Sequence, residues 1–486
     1  MSSIKKNYIY LVFYQILNII VPLLVTPYLS RVIGAEGLGI YSYTNSVAYY
    51  FYLFAMLGIL NYGNRTIASV RDKQDKLNST FCELITMQFA WGCVICVVYT
   101  IYILHLNINE SQYIIYSIIW YAYIISATID ISWFFWGIEQ FKITVLRNSI
   151  IKIFTLVSVF VFIKKSDDLS VYILLISISS LLGQIVLWTQ INKYVSIKKI
   201  FLSSISAHII PNIVLFIPVV AVSIYTIMDK IMLGNMCEMQ ELGYYDNVQK
   251  VMTLPTGIIT ALGTVMMPRI TNLLAKGKEN NVLIYIENSM QFTLIFAIAF
   301  SLGLAGISPV FSVIFFGYGF EPCINMITLF SVTIIFISWA NVIRTQYLIP
   351  YRLDKIYIIS VILGALVNVI SNVVLIPYLR GRGAIIGTIL AEATVAFVQS
   401  IAVCKKLDIV KYLKNGILFL VPGLIMFVIV RVIGMIGKIN IYTLFVQLFI
   451  GALVYSFITL IILLITKGVL SIQIKTFISG IFNKNS

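Results

Sequence analysis

Apolar residues run in about fourteen stretches of roughly 17 to 25 positions between Tyr8 and Thr466, separated only by short polar breaks. A helix rises about 1.5 Å per residue, so each stretch is long enough to cross a hydrocarbon core of about 30 Å while satisfying its own backbone hydrogen bonds. The pattern predicts an all-α integral membrane protein of about 14 transmembrane helices. The expected spans lie near 8 to 29, 40 to 62, 82 to 104, 113 to 136, 147 to 163, 170 to 190 and 207 to 227. The second seven follow near 246 to 268, 288 to 309, 323 to 343, 356 to 377, 383 to 404, 416 to 436 and 442 to 466. A soluble reading fails on composition: with 60% hydrophobic and 11% charged residues, too little polar surface exists to cover so many apolar helices.

The net charge of +15 could suggest a nucleic-acid partner, but positive charge gathered on alternate loops is the ordinary signature of topology. With the N-terminus inside, about 24 of the 34 Lys and Arg fall on the cytoplasmic side and about 7 on the other. Cytoplasmic N- and C-termini are therefore expected, with no nucleic acid bound. Lys5 and Lys6 precede a span of over twenty residues with no small-residue cleavage pattern, so that span is expected to remain as an anchor. Cys93 and Cys96 lie in an apolar helix and read as packing residues. Two histidines, His105 and His208, are too few and too scattered for a metal site, and neither metal nor cofactor is expected.

The sequence repeats itself. Gly37-Leu38-Gly39-Ile40-Tyr41-Ser42 opens the second span as Glu241-Leu242-Gly243-Tyr244-Tyr245-Asp246 opens the eighth, at an offset of 204 positions. Carried forward without a gap, that offset sets Asn45 against Gln249, Ser46 against Lys250 and Arg65 against Arg269. Upstream, with a gap, Arg31-Val32-Ile33-Gly34 resembles Lys230 to Gly234. An even number of spans separates the copies, so the repeat is parallel, an arrangement that transporters use for alternating access. The expected organisation is an N-terminal six-helix lobe at 1–190, a cytoplasmic linker at 191–206 and a second six-helix lobe at 207–404. Two further helices and a short tail follow at 405–486.

Polar residues inside spans mark the candidate chemistry. Asp246, Lys250 and Thr253 share one helical face, which cannot point at lipid, because a charge deep in hydrocarbon costs about 2.5 to 3.5 kcal/mol. The matching face of the second span carries Ser42, Asn45, Ser46 and Tyr49, and the first span adds Gln15, Asn18, Pro22 and Thr26. Together they suggest a polar substrate cavity, against the plainer reading of hydrogen bonds that glue the bundle. Asp130 and Lys152 are expected at similar depth, where they would meet either as a static pair or as a pair that opens to bind an ion. Glu392 inside the twelfth span and Glu83 at the mouth of the third are further candidates for ion coupling.

Three passages carry a family resemblance. They are Pro27 to Gly34 running into Gly37-Leu38-Gly39, then Asp130-Ile131-Ser132-Trp133 with Gly137-Ile138-Glu139, and Met228 to Gly234 followed by Leu242-Gly243-Tyr244-Tyr245. The chain resembles the lipid-linked oligosaccharide flippases, the Wzx-type branch of the multidrug/oligosaccharidyl-lipid/polysaccharide exporter superfamily. Trp136 departs from the pattern, which would place glutamine before Gly137. The resemblance implies a non-enzymatic carrier of undecaprenyl-pyrophosphate-linked sugar repeats, moving them from the cytoplasmic to the outer leaflet of a bacterial inner membrane. It also implies a cationic cavity on helices 1, 2, 7 and 8, with Arg31, Arg65, Lys250 and Arg269 as candidates. Proton or sodium coupling and association with polysaccharide polymerase machinery belong to the same expectation. A drug or metabolite exporter of the same superfamily is the nearest rival. A membrane polymerase or glycosyltransferase should instead show a large outer loop or an acidic metal motif; the longest outer loop is expected at about 228 to 245.

Overall fold

The computed structural model describes residues 2–106, 111–196 and 202–465, and all secondary structure among them is helical. Lys198 and Lys199 of the expected linker, the segment 466–486 and the side chain of Gln15 lie outside the described residues. The chain packs as two compact units. One holds the residues up to Ser223 together with Glu238–Gly243, and the other holds Ile224–Cys237 and the chain from Tyr244 onward.

The first unit begins with α1 (Ser2–Val32), which runs unbroken through Pro22 and Pro27, and α2 (Gly34–Met56). There follow α3 (Ile59–Val70), α4 (Gln74–Leu104), α5 (Ser111–Thr128), α6 (Ser132–Gly137), α7 (Phe141–Phe162) and α8 (Leu169–Ile191). The next two helices, α9 (Leu202–Met236) and α10 (Met239–Ala275), each contribute to both units. The second unit continues with α11 (Glu279–Phe316), α12 (Pro322–Phe330) and α13 (Thr333–Ile343), then a π-helical turn at Arg344–Leu348. It ends with α14 (Asp354–Leu379), α15 (Gly381–Val403), α16 (Ile409–Ile417), α17 (Leu420–Ile436) and α18 (Ile441–Ile465).

Twelve helical segments among the described residues are long and apolar enough to cross a membrane. The long helices α1 and α2 bring the count to the expected fourteen by length, although the Ser, Thr, Asn and Tyr side chains of α2 keep it outside that apolar set. Lipid-facing surface is evident in outward stripes such as Ile150, Phe154, Val157 and Val161 on α7, spaced at three and four residues and all more than half exposed. The interior of the first unit holds the fully buried Trp120, Trp133, Phe134 and Phe135; that of the second holds Phe316, Ile343 and Leu348.

Two expected features are corrected. The single span at 40 to 62 is two helices, because Leu57 adopts a left-handed φ of 45° and Gly58 lets the backbone of α9 approach. A Cβ at Gly58 would lie 2.2 Å from the Asn212 carbonyl oxygen. The outer loop expected at 228 to 245 is almost wholly helical, since α9 extends to Met236 and α10 starts at Met239. Of the charged residues there, Lys230 pairs with Asp246, and Asp229 is held by the uncharged donors Tyr245, Asn372 and Thr388.

The glycines that define the repeat make a reciprocal contact within the first unit. A Cβ on Gly39 would sit 1.7 Å from the Met239 carbonyl oxygen, and one on Gly243 would sit 1.9 Å from the Ala35 carbonyl oxygen. Residues 35 and 239 stand at the same offset as 39 and 243. Any side chain at either glycine would hold the two helix starts apart.

Candidate substrate site

In the second unit, α9 and α10 bring four ionisable residues into two networks with different partners. Lys230 on α9 donates to Asp246 Oδ1 at 2.6 Å, and Lys250, one turn along α10 from Asp246, reaches Asp246 Oδ2 at 2.7 Å. Asp246 is buried, whereas the side chain of Lys250 keeps 31% of its surface. A carboxylate shared by two ammonium groups leaves this trio with one positive charge, carried by a cation that solvent or a ligand can reach. The i, i+4 spacing of Asp246 and Lys250 was legible in the sequence; Lys230 was not counted among the site residues, because its partner lies on another helix.

The neighbouring residues face the other way, as successive helical positions do at about 3.6 residues per turn. Asp229 accepts from Tyr245 and Thr388 at 2.7 and 2.8 Å and from Asn372 at 2.6 Å, and Asp229, Tyr245 and Asn372 are fully enclosed. This network joins α9, α10, α14 and α15. No sequence spacing announced it, since its members lie up to 159 positions apart. With Asp229 held among its own donors, the exposed charge of the trio remains that of Lys250.

The other predicted residues are dispersed. Ser46 is buried and returns its hydroxyl to the Ser42 carbonyl at 2.6 Å, and Asn45 is half-buried on the same helix. Tyr49 stacks on Tyr52, which stacks in turn on Tyr123. Arg31 is exposed and donates to the Pro27 carbonyl. Arg65 is exposed on α3, and Arg269 hydrogen-bonds Tyr285 and lies over its ring, 4.4 Å from the centroid. Glu392 on α15 lies within the field of Arg344, whose guanidinium is held by Asn341 at 2.8 Å.

The expected Asp130–Lys152 pair is not formed among the described residues. Asp130 sits in the break between α5 and α6, where its carboxylate takes the Ser132 N–H at 2.7 Å, the Ser132 hydroxyl at 2.5 Å and the Tyr52 hydroxyl at 3.3 Å. It turns the chain, as aspartates do when they accept from the backbone two residues on. Lys152 points to another neighbour, donating to Asn18 on α1 beside the Tyr14 ring. The α7 cation whose field reaches Asp130 is Arg147.

The same break explains the motif around it. Gln88 on α4 donates to the Ala127 and Asp130 carbonyls at 2.7 and 3.0 Å and accepts from Trp133 Nε1 at 2.9 Å, all out of water. Trp136, where glutamine was expected, still donates a hydrogen bond, to Thr144 at 3.2 Å. Glu139, at a φ of 60°, pairs with Arg71 at 2.6 Å across the surface, and this hydrogen bond raises the guanidinium above its ordinary range. Glu83 meets His208 Nε2 at 3.1 Å, and His208 Nδ1 meets the Tyr62 hydroxyl at 2.7 Å. Among the described residues no group of three or more His, Cys, Asp or Glu converges to hold a metal ion.

Known proteins share both fold and sequence with this chain. Among solved structures, the inward closed conformation of lipid II flippase MurJ superposes with a TM-score of 0.73 over 94% of this chain and 98% of that one, at 17% identity. An inward-facing multidrug resistance MATE family transporter of the MOP superfamily gives 0.61 over 82% and 95%, at 12% identity. At such identities these establish the fold alone. An Escherichia coli (strain K12) protein described as "Putative O-antigen transporter" is 23% identical over 358 residues, 73% of this chain and 85% of its own length. A Shigella dysenteriae protein of the same description is 22% identical over 362 residues, 72% of this chain and 88% of its own. The resemblance carried by the three motifs is borne out by a match across residues 4–274, more than half the length, and the chain belongs to the polysaccharide biosynthesis protein family.

Proposed function

We propose that this protein is a flippase that moves a polyprenyl-pyrophosphate-linked oligosaccharide from the cytoplasmic to the outer leaflet by alternating access, with both termini cytoplasmic. It makes and breaks no covalent bond. The O-antigen transporters among its relatives and its polysaccharide biosynthesis family support the substrate class. The observation that carries the reading is the Lys230–Asp246–Lys250 trio, one net positive charge with Asp246 and Lys250 on the apolar segment Met239–Ala275, which is long enough to cross a membrane. A pyrophosphate is anionic and strongly hydrated, and fixed positive charge lowers its cost of leaving water, while the polyprenyl tail remains in lipid.

In this reading Lys250 contacts the headgroup, and Lys230 and Asp246 position it. Asp130 is a structural turn residue, and Lys152 braces α7 on α1. Loss of the gene should accumulate lipid-linked repeat units in the inner leaflet, measured by leaflet-resolved extraction and mass spectrometry. An unchanged leaflet distribution, with surface polysaccharide intact, refutes the proposal.

A further inference from the structure

The second unit contains a groove that neither network uses. It encloses about 500 Å³ within walls that are nearly all apolar, a volume inside the range of small-molecule pockets of roughly 300 to 1,000 Å³. One wall is the outward stripe Phe397 and Ile401 of α15, and the other is Val410, Leu413 and Ile417 of α16; Trp339 closes the floor. These five wall residues are from 48% to 66% exposed, so the groove opens outward.

The helix that forms the second wall is a nine-residue amphipathic segment that leads into α17, at the start of the apolar segment Ile409–Ile436. It turns Ile409, Tyr412 and Gly416 inward, and it follows directly on the end of α15. As the amphipathic start of that segment, α16 stands near the boundary between headgroups and acyl chains. Next in the chain to the wall residues Cys404, Val410 and Leu413 come Lys405, Lys406, Lys411 and Lys414, all exposed. The two nearby carboxylates have partners of their own: Asp408 accepts from the Lys411 backbone N–H at 3.1 Å, and Glu287 pairs with the Lys411 ammonium at 2.8 Å. The net charge at the rim is therefore positive, next to a cleft that offers almost nothing polar.

We infer that this groove binds an anionic phospholipid, one acyl chain in the cleft and the phosphate against Lys405 and Lys406. A soluble phosphate would find the charge but leave the apolar cleft empty. A neutral lipid would fill the cleft but leave the lysine cluster without a counterion. Clusters of lysine beside a membrane helix attract anionic headgroups, at about fivefold in affinity per residue. The site stands independently of the transported substrate.

The test uses the full chain in nanodiscs of phosphatidylcholine with increasing phosphatidylglycerol, counting lipids retained by native mass spectrometry. Phosphatidylglycerol should be retained in preference to phosphatidylcholine, and the K405Q/K406Q variant should lose about 30-fold of that preference. Leu413→Trp, which fills the cleft, should abolish retention of both lipids without lowering the melting temperature in detergent. Equal retention of the two lipids, an unchanged preference in K405Q/K406Q, or displacement by equimolar farnesyl pyrophosphate overturns the inference. Should Leu413→Trp fail to fold, maleimide labelling of Cys404, an exposed residue of the groove wall, reads occupancy in the intact chain. Labelling should be slower in phosphatidylglycerol than in phosphatidylcholine, and equal rates refute the site.

Discussion

Replacing Lys250 with alanine separates the charge of the α9–α10 trio from its role in folding. In the native protein Asp246 holds two cations, and removing Lys250 leaves the Lys230–Asp246 pair intact but neutral. A unit positive charge about 4 Å from one phosphate charge is worth about 4 kcal/mol at an effective dielectric of about 20. That is about a thousandfold in binding. The Lys250 side chain is 31% exposed, so solvent screening reduces the expectation to roughly ten- to a hundredfold. Stability should change little, by about 1 kcal/mol, because Asp246 keeps a partner. Asp246→Ala should behave in the opposite way. It leaves Lys230, whose side chain is 15% exposed, without its carboxylate while Lys250 can still turn to solvent, and removing one partner of a buried pair costs up to about 3 to 5 kcal/mol. The assay is export of surface polysaccharide in a strain lacking the native gene, with membrane abundance and melting temperature in detergent measured in parallel. Lys250→Ala should export at least tenfold less at normal abundance, and Lys250→Arg should restore export. Full export by Lys250→Ala, or a loss of melting temperature as large as that of Asp246→Ala, refutes the assignment.

Gly39→Ala and Gly243→Ala should each destabilise by about 1 to 3 kcal/mol, since each methyl would overlap a backbone carbonyl, whereas Gly257→Ala, with no atom within 4 Å of the added group, should be neutral; similar melting temperatures for all three contradict this. Gln88→Leu leaves Trp133 Nε1 and two buried carbonyls without a side-chain partner, so a loss of about 1 to 3 kcal/mol is expected by thermal unfolding. In a double-mutant cycle, Asp130→Ala and Lys152→Ala should be additive within about 0.5 kcal/mol, whereas Lys152→Ala and Asn18→Ala should couple. Coupling between Asp130 and Lys152 would restore the ion pair read from the sequence.

Elements governed by local composition were legible from the sequence. Apolar runs long enough to cross lipid became helices, and the i, i+4 spacing of Asp246 and Lys250 became an ion pair. Span ends were harder, because Lys230 and Asp246 look like residues that stop a helix at the membrane surface. Their mutual neutralisation lets α9 and α10 extend, and a pairing across helices leaves no periodic trace. The break at Leu57 and Gly58 was missed for a related reason: what forces it is the approach of Asn212, more than 150 positions away. Depth along the chain placed Asp130 and Lys152 together, but the side chains diverge because one turns a loop and the other packs on α1. The Asp229 network was illegible as a whole, since its parts come from four helices.

The mutual seating of Gly39 on Met239 and of Gly243 on Ala35 is reciprocal in sequence, as in a contact between two identical molecules where each surface is its own complement. Two separate copies would be bound to that sameness: any charge gained by one would appear in both. Joined end to end, they are released from it. Serine occupies position 46 while lysine occupies its counterpart 250, and serine 42 faces aspartate 246 in the same register. A repeat carried within one chain thus leaves each copy free to hold its own charges, while both helix starts keep the bare glycine contact.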